Sequence, residues 1–161
     1  MLASLTAFHV LLSLVGILTG FVLVAGFIRS RRRVGVTKWF LVTTFLTSAT
    51  GFLFPFHGFT PGIGVGILSI IVLAVACVAW NRRDTRRPWN GTFAVTSIIA
   101  LYFNMFVLVV QLFEKVPALT ALAPTQSEPP FAIAQLAVLL AFIALGVLSV
   151  NGYRKAAALA A

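Results

Sequence analysis

A short polar turn joins two apolar runs in the stretch Thr50–Gly66, which reads TGFLFPFHGFTPGIGVG. Pro55 is expected to break or kink the first helix, because proline lacks an N–H and its ring clashes with the carbonyl of the preceding turn. Pro61 suits the first turn of the next helix, where an N–H would lack a helical partner in any case. The stretch therefore predicts the tip of a helical hairpin, with His57 in the turn.

The composition is that of an integral membrane protein. Sixty per cent of the residues are hydrophobic and 9% are charged, whereas soluble domains carry about 25% charged residues. The mean hydropathy is +1.05. The net charge of +9 would also suit a nucleic-acid-binding protein, but the basic residues cluster beside apolar runs, as membrane topology signals do. We therefore expect the partner to be a lipid bilayer, with no nucleic acid.

Five apolar runs are long enough to cross a hydrocarbon core of about 30 Å at about 1.5 Å per residue. They cover, approximately, residues 5–28, 39–56, 62–80, 92–113 and 131–150. The sequence predicts an all-α integral membrane protein in which five transmembrane helices form one bundle. No linker divides the chain, so residues 1–161 are expected to form a single transmembrane domain.

The basic residues indicate how the chain is oriented. Five Lys or Arg residues follow the first run, four follow the third and two follow the fifth, while Lys115 alone lies on the opposite side. Loops rich in Lys and Arg stay in the cytoplasm. The prediction is an N-terminus outside, a cytoplasmic C-terminus and an outer loop over residues 114–130.

Helical periodicity gives two of the runs a face of small residues. His9 shares such a face with Gly16 and Gly20, which are spaced as a GxxxG step, and Gly62 with Gly66 forms a second step. Small residues at this spacing allow close approach of helices in membranes. The two steps predict helix packing within the bundle or assembly into a homo-oligomer.

Polar side chains within the runs gather toward the predicted outer leaflet. Uncharged amides in hydrocarbon are costly unless they are bonded, so their positions indicate an interior or a site. A single membrane Asn or Gln often only joins helices, and a histidine near the interface often has a structural role. We take six polar residues as candidates for ligand binding in a pocket open to the outer leaflet: His9 and His57 as polar or ligating contacts, Asn104, Gln111 and Gln135 as hydrogen-bond partners, and Glu128 at the mouth.

The outer loop suggests the kind of ligand. Val116, Leu119 and Leu122 recur at near-helical spacing from just before Pro117 to just before Pro124, which predicts a short interfacial helix lying over the bundle. A lid above a polar-lined pocket suits an amphiphilic or redox-active molecule such as a quinone or a lipid.

Haem is an alternative ligand. His9 and His57 are expected at the same membrane face, within the span of one haem. However, the outer side offers only Lys115 to the propionates, and the chain has no CxxCH motif. No catalytic residue is assigned, because three acidic residues and no motif joining a nucleophile to a base argue against an enzyme.

Two stretches, TSATGFLFPFHGFTP (residues 47–61) and FEKVPALTALAPTQSEPPFAIAQ (residues 113–135), resemble functionally uncharacterised small multi-pass membrane proteins of bacteria. The resemblance implies a location in the bacterial inner (plasma) membrane and carries no activity with it. It also draws attention to the hydrogen-bonding residues Thr125–Glu128 between prolines. An oligomeric transporter or channel subunit and an accessory or assembly subunit of a larger complex are the alternative functions.

Overall fold

All the regular structure in the described part of the chain is helical. The computed structural model describes residues 2–31, 33–55, 61–83 and 87–159. The prediction of an all-α chain is confirmed, and the short helix expected in the outer loop is present. The helices are α1 (Leu2–Ile28), α2 (Val34–Gly51), α3 (Pro61–Arg82), α4 (Arg87–Lys115), α5 (Pro117–Leu122) and α6 (Pro129–Leu159).

Four described helices are long and apolar enough to cross a membrane. They correspond to α1, α3, α4 and α6 and cover Leu2–Ile28, Gly62–Arg82, Pro88–Lys115 and Pro129–Gly152. The remaining long helix, α2, has 18 residues and carries five Thr and one Ser. These hydroxyl groups lower its hydropathy below that of the other four.

The boundaries of α2 differ from the predicted crossing over residues 39–56. The helix begins at Val34 and ends at Gly51. Its end follows from Pro55, because a helical proline would lack the N–H that bonds to the Gly51 carbonyl and its ring would clash with that carbonyl. The Phe52 N–H instead donates to Ala49 O at 3.2 Å, which tightens the last turn.

Helix α4 lies at the centre of the bundle and packs against α1, α2, α3, α5 and α6. Helices α1 and α2 run antiparallel, since His9 contacts Thr50 while Gly20 contacts Phe40. Helices α1 and α6 run parallel, since Ser30 reaches Gly152 at their C-terminal ends.

The helix directions divide the charged residues between the two ends of the bundle. We call one end the basic end, and define it by Arg29, Arg31, Arg33, Lys38, Arg82 and Arg83. We call the opposite end, which carries His9 and the described acidic residues Glu114 and Glu128, the histidine end.

The glycines of the first GxxxG step pack inside the chain. Gly16 and Gly20 are both buried, and a Cβ at Gly20 would lie 2.5 Å from Leu101 Cδ1 of α4 and 3.0 Å from Phe40 of α2. This step therefore brings three helices of one chain together, and its small-residue surface is already covered. In the second step, Gly62 is exposed and Gly66 is half-buried against Phe52.

The C-terminus of α1 is closed by a hydrogen-bonded turn that also holds α6. Ser30 adopts φ 56°, its N–H donates to Phe27 O at 3.1 Å, and the Arg31 N–H donates to Gly26 O at 2.8 Å. This is the Schellman pattern, in which glycine usually occupies the left-handed position. The Ser30 hydroxyl donates to Gly152 O of α6 at 2.8 Å, so the turn contacts α6 directly.

Candidate functional site

His9 is paired with Thr50 at the histidine end of the bundle. The His9 Nδ1 atom lies 2.9 Å from Thr50 Oγ1, across the contact between α1 and α2. Thr50 belongs to the last turn of α2 and His9 to the second turn of α1, so the antiparallel packing brings them to the same level. The inward stripe predicted for His9 therefore faces α2.

The hydrogen bonds of Thr50 determine which nitrogen of His9 carries the proton. Thr50 Oγ1 lies 2.7 Å from Leu46 O and 3.1 Å from Thr47 O. The short contact to Leu46 O favours donation of the single hydroxyl proton of Thr50 to that carbonyl rather than to His9 Nδ1. With the proton there, Thr50 Oγ1 accepts from the Nδ1–H of His9. In a neutral imidazole this leaves Nε2 unprotonated, as an acceptor or ligand atom.

Apart from Thr50, the described groups that contact the His9 ring are apolar. The Phe54 ring packs edge-on against the imidazole, with ring centroids 5.2 Å apart and an interplanar angle of 84°. A Cβ at Gly51 would lie 3.7 Å from His9 Cε1, so this glycine leaves the ring edge open. His9 is half-buried, and Nε2 has no hydrogen-bond partner within the described ranges.

Asn104 lies deeper, at a polar contact among three helices. Its exposed fraction is 6%, and its Nδ2 donates a long hydrogen bond of 3.5 Å to Thr44 Oγ1 of α2. A Cβ at Gly16 of α1 would lie 3.3 Å from Thr44 Oγ1 and 3.4 Å from Asn104 Nδ2. Asn104 therefore joins α4 to α2 at the point where Gly16 lets α1 approach.

Gln111 does not join this buried contact. It lies two helical turns beyond Asn104 on nearly the same face of α4, because seven residues return to within about 20°. Nevertheless it is exposed, and its Nε2 lies 3.3 Å from Glu114 Oε2. Gln111 is therefore not buried with Asn104, and the helices that cover Asn104 leave Gln111 exposed near the end of α4.

Gln135 and Gln126 bind the backbone of α4 one turn apart. The Gln135 Nε2 donates to Phe106 O at 3.2 Å, and the Gln126 Nε2 donates to Val110 O at 3.1 Å. The Oε1 of Gln135 is buried without a hydrogen-bond partner in the described residues. Gln135 thus fastens α6 to α4. The role of Gln126 was not assigned from sequence, where its only signal was a polar residue between prolines.

Glu128 organises the loop between α5 and α6. Its carboxylate accepts from the Thr125 N–H at 3.2 Å, the Thr125 hydroxyl at 2.9 Å and the Ser127 N–H at 3.1 Å. Its carbonyl accepts from the Phe131 N–H at 3.1 Å, at the start of α6. All of these partners lie within seven residues of the chain, so Glu128 orders its own loop.

The pKa of Glu128 is lowered. Burial alone would raise this pKa, but the hydrogen bonds from Thr125 and from the backbone of Glu128, Thr125 and Ser127 favour the ionised carboxylate and lower the pKa below 4.5. The contribution of the carboxylate to stability is therefore present above pH 4.5 and is lost as the pH falls through the lowered pKa.

We expect the Glu128→Gln substitution to lower the thermal unfolding midpoint at neutral pH. The difference from the wild type should shrink as the pH falls well below 4.5, because the wild-type carboxyl group then becomes neutral as well. Circular dichroism in detergent between pH 3 and 8 measures this. Glu114→Gln is the control, since in the described part of the chain the Glu114 carboxylate bonds to Gln111 and Lys115, which are both exposed. A difference that is constant across this range would contradict the assignment.

The predicted site is only partly assembled in the described residues. His57 lies outside them. His9 with Thr50 forms one contact, Asn104 with Thr44 forms a second and deeper one, and Gln135 and Glu128 serve the packing of α6 and its loop. No group of three or more His, Cys, Asp or Glu side chains that could hold a metal ion occurs among the described residues. The group best suited to bind a ligand is therefore the half-buried imidazole of His9.

The fold is that of a multi-pass helical membrane protein. The chain matches no family model, and no curated protein sequence or solved structure is significantly similar to it.

Proposed function

We propose that the chain is a multi-pass protein of the bacterial inner membrane that binds an amphiphilic or redox-active small molecule, such as a quinone or a lipid. The ligand binds at the histidine end, between α1, α2 and α4, in a site open to the outer leaflet. The observation that supports this most directly is the contact of His9 Nδ1 with Thr50 Oγ1 at 2.9 Å. It holds the imidazole in place and leaves Nε2 to the ligand.

The depth of His9 suits an amphiphile. At about 1.5 Å per residue, seven residues separate His9 from the start of α1 by about 10 Å. A polar group at this level lies near the boundary between headgroups and hydrocarbon. An amphiphile can therefore bond to Nε2 while its apolar part stays in the membrane.

The opening along α4 gives the ligand a place to enter. Asn104 is covered by α1 and α2, whereas Gln111, on the same face and nearer the end, is exposed. Farther toward the basic end, the buried side chains of Phe40 and Leu101 pack against Gly20 and close the interior. The proposed site is thus a crevice with a floor near Asn104 and a rim at His9 and Gln111.

We propose that α2 is the fifth membrane crossing, although it is less apolar than the other four. Its lower hydropathy comes from Lys38, near its start, and from hydroxyl groups that bond to its own backbone, such as Thr43 to Trp39 O at 2.7 Å and Thr47 to Thr43 O at 2.9 Å. These threonine side chains are buried, whereas apolar residues such as Phe45 are exposed. Bonded hydroxyls add little cost in lipid, so α2 can span beside α1 and α3.

The orientation follows from the basic end. Positive charges favour the cytoplasmic side, which places the N-terminus outside and the C-terminus inside. Exposed Trp39 beside Lys38, and the Arg83 guanidinium 3.8 Å from the centroid of the Trp80 ring, are typical of a membrane interface. The histidine end then belongs to the outer leaflet.

Binding of a short-chain ubiquinone to the purified protein in lipid nanodiscs tests the proposal. We expect calorimetric titration to show saturable binding to the wild type and at least a tenfold weaker affinity for His9→Ala, because the ligand loses its polar contact. Thr6→Ala is the matched control, since the exposed Thr6 hydroxyl donates to Leu2 O of its own helix, one turn away. If His9→Ala binds as tightly as the wild type, the site is not at His9.

Haem is a second candidate ligand, favoured by one observation. A histidine whose Nδ1–H is held by a hydrogen bond presents Nε2 for coordination, as ligating histidines commonly do. His9 fulfils this through Thr50, and His57 would have to supply a second ligand from outside the described residues. An absorption spectrum of the purified protein decides between the candidates, because bound haem gives a Soret band.

A further inference from the structure

We infer that the His9 site selects hydrogen-bond donors, and therefore the hydroxyl form of its ligand, a quinol or phenol, over the corresponding quinone. The inference rests on the proposed function and specifies the chemical class of the ligand. It is carried by the direction of the hydrogen bonds at His9 and by the side chains that surround the ring.

Both protons of the neutral His9–Thr50 pair are donated within the protein, so the pair offers a ligand only acceptor atoms. The Thr50 hydroxyl donates to the backbone, with Oγ1 2.7 Å from Leu46 O. The His9 Nδ1–H donates to Thr50 Oγ1, and the nitrogen and the oxygen are 2.9 Å apart. In the neutral pair no proton remains for a ligand carbonyl, while His9 Nε2 keeps a free lone pair.

The other described groups at the ring do not supply the missing donor. Phe54 offers only an aromatic ring and Gly51 has no side chain. The nearest amide donor toward the interior is Asn104, seven helical residues farther along the membrane normal at the level of Gly16, and its Nδ2 already lies against Thr44. Gln111, at the rim, directs its Nε2 to Glu114 Oε2 at 3.3 Å. Among the described residues that touch the His9 ring, a ligand therefore meets one strong acceptor and no complementary donor.

A quinone and its quinol need opposite hydrogen-bond partners at His9. The quinone carbonyl needs a donor, whereas the quinol hydroxyl can donate to an acceptor. The quinol hydroxyl can donate to Nε2 and satisfy both groups. A quinone carbonyl would place an acceptor against an acceptor, so both would lose their bonds to water without compensation. The same rule applies to phenols and to other amphiphiles with a hydroxyl head.

Reversing the preference would require the other imidazole tautomer, with the proton on Nε2. Thr50 disfavours this tautomer, because its hydroxyl would have to turn from Leu46 O to Nδ1 and would leave two oxygens 2.7 Å apart with no proton between them. Thr50 is therefore a positioning residue that determines ligand specificity through His9. Removing its hydroxyl group should release the tautomer without removing the imidazole.

The test compares ubiquinol and ubiquinone of the same short chain, titrated anaerobically at pH 8 into wild-type protein in nanodiscs. We expect the quinol to bind about tenfold more tightly, which corresponds to one compensated hydrogen bond. In Thr50→Val, the isosteric variant, the preference should fall to about twofold or less. Thr47→Val is the matched control, since the Thr47 hydroxyl donates to Thr43 O one turn away, and it should keep the wild-type preference.

The outcomes separate the inference from the proposal on which it rests. If ubiquinone binds as tightly as ubiquinol to the wild type, or if Thr50→Val keeps the full preference, donor selection is overturned while binding at His9 stands. If neither form binds the wild type, or if His9→Ala binds both unchanged, the proposed site itself is overturned.

Discussion

The Gly152→Ala substitution is expected to destabilise the protein by about 3 kcal/mol, because it forces backbone atoms of two helices apart. A Cβ at Gly152 would clash with Phe27 O and would lie 2.8 Å from Ile28 O and 3.0 Å from Ile28 Cα. Backbone atoms cannot move aside as a side chain can. The same shift would also lengthen the 2.8 Å bond from Ser30 Oγ to Gly152 O, worth about 1 kcal/mol.

The control for this prediction is Gly146→Ala on the same helix. A Cβ at Gly146 would meet only Ile98 Cγ2, at 3.9 Å, which is an ordinary contact. Both substitutions raise helix propensity by the same amount, about 1 kcal/mol, so the difference between them isolates the clash. Unfolding in detergent with increasing SDS, followed by circular dichroism, measures both. Equal midpoints for the two variants would show that α6 does not pack against α1 at Gly152.

The Asn104→Asp substitution is expected to destabilise the bundle by about 3 kcal/mol at neutral pH, the cost of a carboxylate near the centre of a membrane helix. The change keeps the size of the side chain and replaces an amide with an ionisable group. Asn104 is only 6% exposed and its one hydrogen bond in the described residues, 3.5 Å to Thr44 Oγ1, is long. The surrounding groups therefore offer a charge little compensation.

Gln111→Glu makes the same chemical change two turns away on α4. Gln111 is exposed beside Glu114, so the added charge stays hydrated and the cost should be below about 1 kcal/mol. The comparison also tests the opening of the bundle along this face of α4. If Gln111→Glu were as destabilising as Asn104→Asp, α4 would be covered at both positions and the proposed crevice would not exist.

The behaviour of Gln111 shows where sequence periodicity stops being informative. Asn104 and Gln111 share a helical face, so a periodic pattern assigns them the same surroundings. The neighbours of α4 change along its length, however. Near the histidine end its buried residues are Val109 and Phe113, which pack with Ala123 and with Phe131 of α6. That packing depends on where α5 and α6 lie, which no local pattern encodes.

His9 gives a mixed result for the same reason. The stripe shared with Gly16 and Gly20 correctly turned the imidazole toward other helices, because a helix repeats its faces every 3.6 residues. The sequence placed only His57 with His9, at the same membrane face, and did not assign Thr50 as its partner. The antiparallel contact of α1 with α2 selects Thr50, because the packing of Gly20 against Phe40 sets the register of the two helices.

What the sequence determined by itself is the helical class, the apolar runs long enough to cross a membrane, and the grouping of every Lys and Arg except Lys115 after the first, third and fifth of these runs. Each of these follows from properties that accumulate along the chain: hydropathy, helix length and charge. Only the tertiary structure decided that the first GxxxG step is buried within the chain, that Gln111 is left uncovered and that His9 donates to Thr50. These depend on helix register and on the direction of individual hydrogen bonds, which arise only when the helices pack.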